Sequence, residues 1–257
     1  MRRVGVLPAL VTLANGYCGL LAIFKTHDGD LYAASWLILL AMVFDVMDGK
    51  IARIAGSTSK FGAYLDSLCD AISFGVAPAF LAKAVASYAM PGLLHPKLLT
   101  ILTALFAMGA LLRLARYNME HSSGEGMDQR SGPVTTFDGL PTPGAAGVLA
   151  GCVFAALDDR ARVPMAWLLT VVPFLCPVLG FLMISRVPYI HFGNRFLRGR
   201  RDFVYLFGMA MTVALITLFP HETLAAGFLL YGISGPAGLP FRSRAVPEAA
   251  PEPDREP

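Results

Sequence analysis

Apolar residues in this chain recur in long blocks separated by short polar connections. Eight blocks can be delimited, at about 7–24, 32–55, 60–88, 98–119, 140–157, 164–184, 203–219 and 223–235. Most approach the ~20 residues that a helix needs to cross about 30 Å of hydrocarbon. The pattern predicts an all-α fold, a polytopic membrane helix bundle of about eight transmembrane helices. The last block is the shortest and runs out at Pro236. The longest polar connections, 120–139 and 185–202, fall between blocks four and five and between blocks six and seven.

Composition supports lipid as the solvent. Hydrophobic residues make up 55% of the chain and charged residues 15%, where a soluble domain carries about 25% charged residues. Mean hydropathy is +0.58. No A-x-A-like cleavage site follows Arg2 and Arg3, so the first block is expected to be retained. With eight spans and the N-terminus inside, the inner side would hold 16 of the 21 Lys and Arg. By the positive-inside rule, both termini are expected in the cytoplasm of a bacterial-type inner membrane. Residues 1–236 read as one membrane domain, and the Pro-, Glu- and Arg-rich residues 237–257 as a disordered cytoplasmic tail.

Cys18, Cys69, Cys152 and Cys176 stand singly inside apolar blocks, and the five histidines show no ligand spacing. Neither a zinc site nor a disulfide framework is indicated. There is no nucleotide-binding glycine loop, and no nucleic-acid partner is expected.

The densest chemistry lies in DVMDGKIARIAGSTSKFGAYLDSLCD, from Asp45 to Asp70. At ~100° per residue, Asp45, Asp48, Gly49, Ala52 and Arg53 share one face of the second block. Gly62, Asp66 and Asp70, four apart, share a face of the third. The short Gly56–Lys60 turn makes the two helices antiparallel neighbours, so two pairs of carboxylates face each other. Each ionisable group inside a bilayer helix costs roughly 2.5–3.5 kcal/mol, and four Asp together also repel. A pair of divalent cations relieves both problems, and hard oxygen ligands suit Mg²⁺ or Mn²⁺. Two such ions clamp the oxygens of a phosphoryl group undergoing displacement. Gly49, Ala52 and Gly62 clear a groove for a nucleotide, and Arg53 is left to pair with a phosphate. The alternative is that these Asp cap helices or pair with Lys50, Arg53 and Lys60.

Written as D-x2-D-G-x2-A-R-x8-G-x3-D-x3-D, the stretch matches the signature of the CDP-alcohol phosphotransferase family at every fixed position, and the chain resembles that family. The resemblance implies that Asp45, Asp48, Asp66 and Asp70 hold two divalent metals. It implies further that Asp70 accepts the proton of the attacking alcohol, and that CMP and a phosphodiester lipid are the products. SFGVAP (Ser73–Pro78), LRLARYN (Leu112–Asn118), FDGLPTPGAAG (Phe137–Gly147) and NGYCG (Asn15–Gly19) are similar to segments of the members that use serine. The expected substrates are thus CDP-diacylglycerol and L-serine, handled at a site open to the cytoplasm and to membrane lipids. A homodimer is left open.

The serine carboxylate calls for a buried cation. Arg113 and Arg116, at i and i+3 on the fourth block, are the candidates, with Asn118 adding a hydrogen bond. Arg113 lies deeper and is preferred; the plain alternative is that both anchor the helix among headgroups. Arg195, Arg198, Arg200 and Arg201 read as an inner-side basic loop or as an attraction for anionic lipid. Choline or glycerol 3-phosphate are the alternative acceptors. An ion transporter is the more distant reading, because intramembrane carboxylates also mark ion paths.

Overall fold

A computed structural model describes residues 6–54, 60–122, 136–157, 167–190 and 217–242. Helix α1 spans Val6–His27, α2 Leu31–Ile54 and α3 Lys60–Asp70. A π-helical turn at Ala71–Val76 joins α3 to α4, Ala77–Ala89. Then come α5, Pro96–Ser122; α6, Thr142–Ala156; α7, Trp167–Ile184; and α8, Pro220–Arg242. Strands β1, Thr136–Asp138, and β2, Pro188–Ile190, form an antiparallel ribbon.

Five of the helical segments are long and apolar enough to cross a membrane: Leu7–His27, Leu31–Ile51, Phe61–Ala89, Pro96–Met119 and Trp167–Ile184. The expected fifth span is shorter than its apolar run. Pro141 caps α6 and the helix closes at Ala156, 15 residues later, about 22 Å of rise. Its surroundings explain why so short a helix suffices. Every residue from Gly144 to Ala155 is buried, because α2, α4, α7 and α8 pack around it. An all-round apolar helix belongs at the centre of a bundle. The expected seventh span, 203–219, lies almost wholly outside the described residues. The eighth is longer than expected: α8 runs through Pro236 to Arg242, so the helix carries six residues past the boundary predicted at 236.

The outer helices are amphipathic in the sense that lipid demands. On α1, Leu7, Leu10, Leu13, Tyr17, Leu20 and Phe24 are exposed along one stripe, while Thr12, Asn15, Gly16, Gly19 and Ala22 are buried on the other side. Leu98, Ile101, Leu105, Met108 and Leu112 make the same exposed stripe on α5. Lipid tails are as apolar as leucine, so helices associate by close packing of small residues rather than by the hydrophobic effect. The α5–α7 crossing depends on this. A Cβ on Gly109 would lie 2.6 Å from the Gly180 carbonyl oxygen, and one on Gly180 would lie 2.6 Å from that of Leu105.

The ribbon ties together the two longest connections, which periodicity left as loops. Phe137 pairs with Tyr189. Gly139, at φ +85°, turns the chain into α6 and donates its N–H to the Val187 carbonyl at 2.9 Å, while Leu140 donates to Leu182 at 3.1 Å. Tyr189 is fully buried, and its hydroxyl donates to the Gly232 carbonyl at 2.9 Å. The start of α6, the end of α7 and α8 are thereby locked at one end of the bundle.

Backbone contacts at the α5–α7 crossing cannot yield as side chains do. Gly109→Ala and Gly180→Ala should each lower stability by about 1–3 kcal/mol. At Gly49 a Cβ would meet nothing within 4 Å, and Gly49→Ala should leave stability unchanged or raise it by up to about 1 kcal/mol. Thermal unfolding of the purified variants in detergent measures all three; equal midpoints at the crossing and at Gly49 would contradict this account.

Candidate active site

The C-terminal half of α2 and the middle of α3 bring three carboxylates into one cluster. Asp45, Asp48 and Asp66 each offer an oxygen, and the three oxygens lie within 4.8 Å of one another. Asp48 is buried, and Asp45 and Asp66 are half-buried. At that separation, ionised pairs repel by roughly 3 kcal/mol each at an effective dielectric near 20. Thr12 of α1 lies beside Asp48, its hydroxyl donating to the Pro8 carbonyl at 3.1 Å. Asp48 Oδ2 and Asp66 Oδ1 are buried without any partner. A buried carboxylate oxygen left unmatched is costly. The set therefore fits a divalent cation, which prefers hard oxygen ligands and offsets the repulsion.

Asp70 stands outside this close group, one turn further along α3. Its Oδ1 accepts a 2.8 Å hydrogen bond from Asn15 Nδ2, in buried surroundings. Asp45 and Asp66 remain within electrostatic range of it. Directly after Asp70 the chain widens into the π turn, which buries Ser73, Phe74 and Gly75. Pro78 supplies a reason: it has no N–H to give the Phe74 carbonyl, and a wider turn relieves the clash its ring would cause. Ser73 Oγ, on that turn, donates to the Asn15 carbonyl at 3.0 Å.

Gly49 lies exposed beside Asp48 with no described atom within 4 Å of a Cβ there, open space consistent with a groove. Gly62 lies half-buried on the first turn of α3. Ala52 and Arg53 occupy the last turn of α2, but their side chains lie outside the described residues, as do Arg195, Arg198, Arg200 and Arg201.

The acceptor candidates on α5 have definite partners. Arg113 Nη1 donates to Thr142 Oγ1 at 3.1 Å, while its Nε is buried without a partner. Asp70 lies within electrostatic range of the guanidinium. Asn118 Oδ1 accepts from Ser67 Oγ at 2.9 Å, which pins α5 to α3 beside Asp66. Arg116 is half-buried one turn on. Thr12, Asn15, Ser67, Ser73 and Thr142 carry no acid–base signal of their own in the sequence. Asn15, Ser67, Ser73 and Thr142 nonetheless fall inside the stretches NGYCG, Asp45–Asp70, SFGVAP and FDGLPTPGAAG, whereas Thr12 lies in none of them.

Fold and site together define a helical membrane protein with a carboxylate cation centre at one end of its bundle. Residues 5–178 match the CDP-alcohol phosphatidyltransferase family, and the chain belongs to that family. It is 32% identical to the CDP-diacylglycerol–serine O-phosphatidyltransferase of Methanocaldococcus jannaschii, over 91% of this chain and 94% of the relative. To the enzyme of the same name from Helicobacter pylori it is 29% identical, over 88% and 89%. The fold resembles crystal structures of Mycobacterium tuberculosis phosphatidylinositol phosphate synthase. The form with CDP-DAG bound superposes at a TM-score of 0.51 with 22% identity, covering 71% of this chain and 84% of that one. A form in complex with manganese and citrate gives the same score and identity, covering 71% and 80%.

Removing one carboxylate should leave too few ligands for tight binding. Asp45→Asn and Asp66→Asn should each weaken Mn²⁺ binding by at least about tenfold, read as free Mn²⁺ by electron paramagnetic resonance. Wild-type affinity in both variants would exclude the cluster as the metal centre.

Proposed function

We propose that this enzyme transfers the phosphatidyl group of CDP-diacylglycerol to the hydroxyl of L-serine, giving phosphatidylserine and CMP. The observation that carries the reading is a carboxylate cluster with unmatched buried oxygens, together with a half-buried Arg113 whose Nε is buried and unmatched. The first suits a cation–diphosphate complex, and the second suits a carboxylate on the acceptor. The names of the relatives support serine. The 22% likeness to a synthase named for a different product carries the fold alone.

Asp45, Asp48, Asp66 and Asp70 are the residues that would hold the metal, as a pair of Mg²⁺ or Mn²⁺ ions. When bound, the ions neutralise the diphosphate and the charge that develops on departing CMP. The residues of the chain do the remainder. Gly49, Ala52 and Gly62 leave the groove clear for the nucleotide, beside Asp48, and Arg53 pairs with its phosphates. Arg113 holds the serine carboxylate through Nε, with Arg116 and Asn118 at the rim of the pocket. The serine hydroxyl passes its proton to Asp70 as its oxygen forms a bond to the phosphorus that bears diacylglycerol. The bond from that phosphorus to the CMP oxygen breaks, and CMP leaves. The bias of 16 of the 21 Lys and Arg supports an active site facing the cytoplasm, where serine and CMP are soluble.

Lipid extracts made after incubation with CDP-diacylglycerol and labelled serine should contain labelled phosphatidylserine. Choline and glycerol 3-phosphate, offered alongside, should yield little product. A chelator should stop turnover, and Mg²⁺ or Mn²⁺ should restore it. Labelled product from glycerol 3-phosphate or choline, and none from serine, would replace the acceptor while leaving the transfer intact.

Arg113→Ala should raise KM for serine far more than KM for CDP-diacylglycerol. A lost charge-assisted hydrogen bond is worth about 1.5–3 kcal/mol, on the order of a ten- to hundredfold effect. Arg113→Lys should recover part of the loss, since an ammonium lacks the planar two-point contact. Equal losses for both substrates would instead assign Arg113 to folding or phosphate binding.

A further inference from the structure

Asn15 lies in the middle of α1, with no exposed surface, in a helix whose outer face is given to lipid. Its side chain makes one hydrogen bond, from Nδ2 to Asp70 Oδ1 at 2.8 Å. Its Oδ1 is buried and has no partner. A packing position in an apolar bundle is better served by an aliphatic residue, because an unsatisfied buried amide oxygen costs stability. The surroundings are built to hold this amide close. A Cβ on Gly16 would lie 2.8 Å from Cys69 Sγ, and one on Gly19 would lie 2.6 Å from Ser73 Oγ and 2.7 Å from the Ser73 Cα. These two glycines bring α1 against both the residue before Asp70 and the π turn after it. Ser73 then closes the arrangement from the other side by donating to the Asn15 backbone carbonyl at 3.0 Å.

We propose that Asn15 is the positioning residue for Asp70. Its amide fixes Oδ1 and so reserves Oδ2 for the acceptor hydroxyl, and Ser73 fixes Asn15. The inference rests on the role given to Asp70 above. In the transfer step the serine proton goes to Asp70 Oδ2 while the new bond to phosphorus forms and the bond to CMP breaks. Asn15 changes neither charge nor covalent state. It keeps the accepting oxygen in one orientation, which an unrestrained carboxylate on α3 would lose by rotating about χ2.

The test is steady-state kinetics of the full chain in detergent, at saturating Mn²⁺. Asn15→Ala should lower kcat on the order of ten- to a hundredfold, the usual effect of removing a partner of a ligating carboxylate. Both KM values should stay within about twofold of wild type, and the Mn²⁺ affinity should fall by clearly less than kcat, because orientation rather than binding is what is lost. Ser73→Ala should give a smaller loss of the same kind. If Asn15→Ala does not fold, Asn15→Ser, whose hydroxyl is too short to reach Asp70, carries the same expectation. A kcat within about twofold of wild type, or a loss confined to KM or to Mn²⁺ affinity, would overturn the positioning role. Asp70→Asn separates the two levels of the argument. Wild-type turnover there removes Asp70 from proton transfer, and Asn15 falls with it. An inactive Asp70→Asn beside a normal Asn15→Ala removes Asn15 alone.

Discussion

Carboxylates held together inside an apolar bundle are the constraint on which the rest of this structure depends. Three Asp oxygens within 4.8 Å of one another have no cationic side chain among the described residues close enough to form an ion pair with them. The described ion pair, Lys25 with Asp30, links the last turn of α1 to the residue before α2. Left alone, the cluster would be resolved by protonation or by parting the helices. A divalent cation resolves it without either, and it does so only while α2 and α3 stay in register. The hydrogen bonds nearby serve that register: Asn15 to Asp70 and Ser67 to Asn118. Each comes from or reaches a different helix, so the cluster is braced by α1 on one side and α5 on the other.

Lipid as solvent explains why the bracing takes this form. A soluble protein could hold such a site with a thick hydrophobic core. Here the large apolar residues Leu7, Leu10, Leu13, Tyr17, Leu20 and Phe24 of α1 face outward, and its inner face carries Thr12, Asn15, Gly16, Gly19 and Ala22. Small residues allow the backbones to approach, and polar residues use the approach for hydrogen bonds. Gly16 and Gly19 on α1 and Gly109 and Gly180 at the α5–α7 crossing are two instances of the same solution. α6 is the exception that fits the rule. Surrounded by protein, it keeps no lipid face and need not match the bilayer in length.

The sequence made the carboxylate face legible because spacing by three and four translates directly into a shared helix face. Asp45, Asp48 and Asp66 met as that spacing required. The burial of the four cysteines was equally readable from their apolar neighbours. Periodicity counts apolar residues without knowing what they touch, however. It therefore could not distinguish α6, enclosed by protein, from a lipid-facing span of similar composition. Nor could it see that the connections around 136–138 and 188–190 pair as strands, since three residues on each side are too few to alternate. Asp70 shows the limit most clearly. Its i+4 spacing from Asp66 put it on the right face, but what it bonds to lies 55 positions away at Asn15, and no local pattern encodes such a distance.

The π turn links these scales. A regular α-helix continuing from Asp70 would carry Ser73 and Phe74 to other faces and leave Pro78 in conflict with the Phe74 carbonyl. Widening the turn over Ala71–Val76 removes that conflict and changes the rotational phase between α3 and α4. The carboxylate face of α3 can then meet α2 while α4 packs its own buried face on α6 and α7. The same turn presents the Ser73 hydroxyl to α1. One proline, eight residues after the last aspartate, thus allows a single membrane-crossing segment to serve two packing environments. The irregularity sits beside Asp70 because the change of environment occurs there.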